Sequence, residues 1–279
     1  MLLNLVGVPL VAGIGVYLLT QTPKTARFGG LLIVLGALGL ALLQQGVPPF
    51  PPISSKHKLI YLLQLLSMLA PLAPRLPPIG RVLALGALIL GTVLWLNWRR
   101  FGVGIPGEVI FLWGALALTL GFAISQVDRT DRPEFLWPTT LFVMVLAAGV
   151  VGLLSGYLGL GQLLGSLAAY FGGMLVLPFL GAFFANGTHG STGESKRWRI
   201  PQAFSWAVLS IMAVLGVSLA SFATNLDPRA FGMLLVVLMA PLVALKVPAL
   251  SIKPLQPIVF AAIAAVPAGA AIALAALNF

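Results

Sequence analysis

The chain has no cysteine and very little charge. The missing thiols exclude disulfides and thiolate metal sites. Lys, Arg, Asp and Glu together make up 8% of 279 residues, against roughly a quarter in an ordinary soluble domain. Acids are the scarcest: six Asp and Glu stand against 16 Lys and Arg. Five of them, Asp128, Asp131, Glu134, Glu194 and Asp227, fall in short connectors between apolar runs. Glu108 alone opens such a run, where the positive end of a helix dipole favours an anion. With no acid in the middle of an apolar segment, a conventional proton- or sodium-driven pump is hard to build.

Histidine is rarer still. His57 and His189 both lie in connectors, and two histidines without carboxylate or thiolate help make no catalytic zinc site. Nothing brings either beside a buried serine and an acid as hydrolytic chemistry requires. The expectation is therefore no enzymatic activity, no metal and no cofactor. Gly102, Gly104 and Gly107 in "GVGIPG" match G-x-G-x-x-G, but no strand precedes them and Pro106 interrupts them, so they read as a turn. "NGT" at 186–188 matches a glycosylation sequon and carries no weight on the inward-facing connector where it falls.

What the chain has in abundance is hydrocarbon, at 59% of residues. A soluble domain of this length needs a charged skin, and there is none to spend on one. The apolar surface must face lipid. The net charge of +10 does not point to nucleic acid, because the basic residues sit in short connectors where headgroups and topology place them.

A membrane helix needs roughly 20 apolar residues, with about 17 to 25 tolerated. Runs at 1–20, 28–45, 59–73, 81–98, 106–125, 138–154, 162–184, 202–222, 230–246 and 255–277 predict an all-α, polytopic transmembrane bundle of about ten spans. The first run has no basic n-region or small-residue cleavage site and is expected to stay as a span. Residues 1–279 read as one integral membrane domain, with possible halves 1–137 and 138–279 that share no repeat. In span count and length alone the chain is similar to compact 5+5 transporters such as the drug/metabolite exporter class. That layout implies termini on the inside, whereas the charges here imply the opposite.

Counted by connector, the odd ones hold 11 Lys and Arg and the even ones five: Lys56, Lys58, Arg99, Arg100 and Arg229. The positive-inside rule then puts both termini outside, and the texture of the chain suggests a bacterial inner membrane. "NLDPRAF" predicts a helix start with Asp227 as N-cap and Pro228 at the first position. Trp137, Trp198 and Trp206 lie beside charges and are expected to form an interfacial belt.

Two features suggest function. In 161–184, Gly161, Gly165, Ala169 and Gly173 recur every four residues as a small-residue ridge, with Gln162, Ser166 and Tyr170 as a polar ridge beside it. Gly152 and Gly156 extend the small-residue habit upstream, Gln64 and Ser67 add polarity to the third run, and Ser218, Ser221 and Asn225 to the eighth. Pro178, Pro241 and Pro267 fall inside runs, as in the broken helices that line transporter sites. The second feature is "GVPPFPPISSKHK", in which Pro48, Pro49, Pro51 and Pro52 flank Phe50 as a stiff extended link or a preformed docking strip. Two readings follow. One is a permease or channel-like carrier for a small neutral or weakly anionic solute, its path lined by Gln64, Gln162, Ser166 and Tyr170 with Glu108 near the outer mouth. The other is a non-catalytic subunit of a larger membrane complex. Expected partners are the lipid bilayer and either other membrane subunits or a second copy.

Overall fold

The computed structural model describes residues 3–21, 25, 28–127, 133–184, 200, 203–246 and 256–278. The 185–199 connector, with His189, Glu194 and Trp198, and the acids Asp128 and Asp131 lie outside the described residues. Backbone N–H and C=O groups surrounded by hydrocarbon must be satisfied within their own segment, which leaves the helix as the available solution for these runs. Among the described residues the chain forms eleven α-helices. They are α1 (Val8–Thr20, entered through a π-helical turn, Leu3–Gly7), α2 (Gly29–Gln45), α3 (Ser55–Leu69), α4 (Pro78–Asn97) and α5 (Gly107–Val127). Then follow α6 (Leu136–Leu154), α7 (Leu158–Phe184), α8 (Ala203–Phe222), α9 (Pro228–Val237), α10 (Ala240–Ala244) and α11 (Gln256–Leu277).

Seven of these segments are long and apolar enough to cross a membrane, not ten: Leu3–Thr20, α4, α5, α6, Leu158–Gly181, α8 and α11. This supports a multi-pass membrane protein and corrects the count. The three shortfalls have local causes. The helix α2 has 17 residues and stops at Gly46, whose φ of 75° ends the right-handed run. In α3 the first turn carries Lys56, His57 and Lys58, and the helix tightens into a 3₁₀ segment at Ala70–Arg75, a stretch holding Pro71 and Pro74. The run 230–246 breaks in two because Pro241 has no N–H to give the carbonyl of Val237, where α9 ends. Pro178 and Pro267, by contrast, sit inside unbroken α7 and α11, so only one of the three expected breaks occurs.

Helix boundaries follow local chemistry. Asp227 caps α9, its carboxylate accepting the N–H of Arg229 at 2.7 Å, with Pro228 in the first turn. Between α6 and α7, Gly156 at φ 80° closes a Schellman turn: Tyr157 N–H donates to Gly152 C=O at 3.0 Å and Gly156 N–H to Leu153 C=O at 3.2 Å. Gly156 is therefore a helix stop and not part of a packing ridge.

One apolar core runs through the bundle from Tyr17 on α1 to Ala275 on α11. The helix α8 occupies its middle and touches α2, α3, α4, α5 and α6. Its best membrane-length window is 89% buried, against 28% for α4 and 33% for α5. Directions alternate along the chain. Asn97 at the end of α4 meets Ser221 at the end of α8, Asn225 meets Ser155 of the α6–α7 turn, and Asn278 at the end of α11 meets Asp227. These groups define one end of the molecule. At the other, Ala203 abuts Gly30, Ile200 N–H bonds Glu134, and Phe135, Leu136, Ala244 and Phe260 form a small separate cluster.

Candidate functional site

The α7 ridges come first. A Cβ at Gly173 would collide with the carbonyl of Leu10, and one at Gly13 with the carbonyl of Tyr170, so α1 and α7 run backbone against backbone. On the opposite flank of α7, a Cβ at Gly161 would lie 2.7 Å from Leu153 N, and one at Gly152 would lie 3.3 Å from Gly161 Cα. Gly149 approaches Gly165 in the same seam, while Ala169 is half-buried. These small residues let three helices close to distances that side chains forbid.

The polar ridge splits. Ser166 is buried, accepts a hydrogen bond from Gln44 of α2 and donates to Leu5 C=O at 3.0 Å. Tyr170 is fully buried and its hydroxyl donates to the carbonyls of Ile33 (3.3 Å) and Leu32 (3.4 Å), against Gly36. Gln162, Gln64 and Glu108 are exposed on the outside of the bundle. The five residues expected to line a path are therefore not brought together: two tie helices to each other and three face outward. The periodicity locates a helix-facing side but does not say whether its partner is a backbone or a cavity.

The centre of the bundle presents a different arrangement on α8. Trp206, Ser210, Ser218 and Ser221 fall within an arc of about 120° at 100° per residue and extend over about 22 Å. All four are buried. At one end Ser221 Oγ accepts from Asn97 Nδ2 and from Trp113 Nε1, both at 3.2 Å, which ties α4, α5 and α8 together. Arg100 donates to Ser221 C=O and lies 4.7 Å over the Phe222 ring. Elsewhere along the stripe the polar atoms have no partner: Trp206 Nε1, Ser210 Oγ, Ser218 Oγ and, beside Ser221, Asn97 Oδ1. This contrasts with Thr92 and Thr140, whose hydroxyls bond the carbonyl four residues back. A buried polar atom without a partner is uncommon, because burial without a hydrogen bond is costly.

Two tryptophans expected in an interfacial belt are interior: Trp137 is 4% exposed and Trp206 is 9% exposed. Asn225 lies in the connector after α8, where its N–H bonds Ser155 C=O at 3.3 Å. The sequence reading omitted Asn97, Trp113 and Ser210. Spacing of four between Trp206 and Ser210, in register with Ser218 and Ser221, was the available signal; the charges beside Trp206 drew it to the surface instead. No sequence signal joins Asn97 to Trp113 or Ser221.

Around the Asn97 end lie four further features. Asn225, Leu226, Asp227, Pro228, Arg229 and Asn278 line a shallow depression of about 540 Å³. The proline strip folds back over α3: Phe50 packs edge-on to Tyr61 at 6.3 Å, and the Tyr61 hydroxyl reaches the carbonyls of Pro48 and Pro49 at 3.5 Å. Phe50 itself is 87% exposed. Lys58 donates to Trp95 C=O at 2.8 Å, and its ammonium is held below the ordinary lysine value by burial and by the neighbouring Arg99 charge. Tyr157 in the α6–α7 turn is pushed up by burial, partly offset by its hydrogen bond with Ser55. Among the described residues no three His, Asp or Glu side chains gather as a metal-binding set. No family model matches the chain, and neither the curated proteins nor the solved structures provide a match.

Proposed function

We propose that the protein is a channel-like carrier for a small neutral solute, with the path along the Trp206–Ser210–Ser218–Ser221 face of α8 and not along α7. The observation that supports this is the set of buried, unpartnered polar atoms on that face. Three of them lie on the most buried helix of the bundle, and none is charged. Hydroxyls and an indole N–H can exchange hydrogen bonds with a passing hydroxyl or amide, whereas an ion would need stronger compensation. A neutral solute also fits the scarcity of acids, since no coupling ion is required.

Because the chain has no native cysteine, single cysteines report cleanly. Ser210→Cys is expected to react with a small hydrophilic thiol reagent in intact membranes, as should Val103→Cys at a 90% exposed connector position. Ser166→Cys, held between Gln44 and Leu5 C=O, is expected to stay silent. Silence at Ser210→Cys beside a labelled Val103→Cys would reject the path. The second reading, a subunit of a larger complex, rests on the exposed Phe50 of the proline strip. Replacing 48–52 by Gly and Ser should then strip a partner from the protein purified in mild detergent from its native membrane.

A further inference from the structure

The Asn97 end gathers positive charge without an answering acid. Lys56 and Lys58 belong to the first turn of α3, Arg99 and Arg100 to the chain just beyond α4, 41 or more residues later. The fold brings these pairs to one end of the bundle, where Lys58 lies on the Trp95 carbonyl and close enough to Arg99 to feel its charge. Among the described residues none of the four forms an ion pair. Glu108, which opens α5 at the same end, is exposed and unpaired with them, and the Asp227 carboxylate is occupied by Arg229 N–H and by Asn278 at 2.8 Å. Like charges held near one another repel, and an anion bound among them would relieve that repulsion.

The surroundings add two properties. Ser54 stands at the N-cap of α3 with extended backbone but makes no cap bond, and Ser54 Oγ and His57 Nδ1 are shielded from solvent without partners. Further hydrogen-bonding groups therefore remain beside the cations. The rim is aromatic and open: Trp98 is 73% exposed, with Trp95 and Phe101 each 47% exposed. Tryptophan and phenylalanine beside lysine and arginine, at the end of membrane-length helices, suit the boundary where headgroup phosphates meet acyl chains.

We propose that Lys56, Lys58, Arg99 and Arg100 bind the phosphate of an anionic phospholipid headgroup, with Trp95, Trp98 and Phe101 against its acyl chains. The recognised chemistry is a phosphate anion, and the aromatic rim selects a lipid over a free ion. This site is independent of the solute path on α8, and its failure would leave that reading untouched.

The test uses the full chain in mild non-ionic detergent, titrated with phosphatidylglycerol or phosphatidylcholine and followed by native mass spectrometry. The unmodified protein should retain a phosphatidylglycerol molecule at a concentration at least tenfold lower than phosphatidylcholine. Lys56→Gln with Arg99→Gln, two exposed side chains that make no internal hydrogen bond among the described residues, should remove that preference without changing the elution profile. Arg229→Gln, at the same end but in the depression by Asp227, should keep it. Lys58→Gln alone should weaken retention in the same direction. Equal retention of both lipids by the unmodified chain, or undiminished preference in the Lys56→Gln/Arg99→Gln variant, would overturn the proposal. Full competition by millimolar inorganic phosphate would overturn the lipid as its source.

Discussion

The helices α7 and α8 carry similar side chains to opposite ends. Both are long, apolar and marked by Ser and an aromatic N–H or O–H at spacing four. On α7 each buried polar group finds a fixed partner, Ser166 with Gln44 and Leu5 C=O, Tyr170 with the carbonyls of Leu32 and Ile33. On α8, Ser210, Ser218 and Trp206 find none. The difference comes from neighbours. The glycines Gly13, Gly36 and Gly173 let α1 and α2 approach α7 until backbone carbonyls lie against its surface. The helix α8 is ringed by five helices, so its polar face stays in the interior without a backbone to answer it. The same residue types act as glue where backbones are within reach and stay buried without a hydrogen-bond partner where they are not.

The sharpest way to break this comparison is to hold α1 away from α7. Gly173→Leu places a side chain on the Leu10 carbonyl, and overpacking against backbone costs about 3 kcal/mol or more. The variant should fail to give a monodisperse peak on size exclusion. Gly91→Leu on α4, where an added Cβ meets nothing within 4 Å, should elute normally and melt no lower than the parent.

Removing Ser221 tests the satisfied end of the α8 stripe. Ser221→Ala deprives Trp113 Nε1 and Asn97 Nδ2 of a shared acceptor, although Asn97 keeps Val93 C=O at 3.1 Å. A loss of about 1 to 3 kcal/mol is expected, read as a lowered melting temperature in detergent. An unchanged melting temperature would mean that water serves those donors equally well.

Tyr170→Phe removes one membrane-buried hydrogen bond and should cost about 0.6 to 1.7 kcal/mol while leaving cysteine labelling at position 210 unchanged. Ser210→Ala is its counterpart. It breaks no bond within the protein, so thermal stability should hold or rise slightly, while uptake of the carried solute, once a screen supplies one, should fall. A Ser210→Ala variant as destabilised as Tyr170→Phe would show that Ser210 does bond a neighbour and would erase the contrast. The smallest effect belongs to Glu108→Gln, an exposed position without an ion pair, where stability should move by no more than about 0.5 kcal/mol.

Much of this molecule was legible without coordinates. Low charge and long apolar runs required helices in lipid, because water is absent there to satisfy an open backbone. The Asp227–Pro228 start is local chemistry and appeared as read, as did the first-turn position of Glu108. Span count was less secure, because hydrophobicity in 230–246 does not register that one missing N–H at Pro241 divides a helix. Side-chain environment was the least legible. Trp137 and Trp206 sit near charges in sequence yet turn inward, and Gln64 and Gln162, expected along a path, turn outward. A helix pattern gives relative directions around an axis, but the absolute direction of the core depends on where the other helices lie.

The sequence by itself thus determined the solvent this protein lives in, its secondary structure and many helix ends, since each depends on composition or on contacts a few residues apart. Only the tertiary structure decided that α7's hydroxyls are bonded and α8's are not, and that Lys56, Lys58, Arg99 and Arg100 share one end. Those outcomes rest on contacts between residues from about 40 to more than 150 positions apart, such as Lys58 with Trp95 and Ser166 with Leu5, and short-range patterns in a single chain carry no information about which distant backbone will arrive.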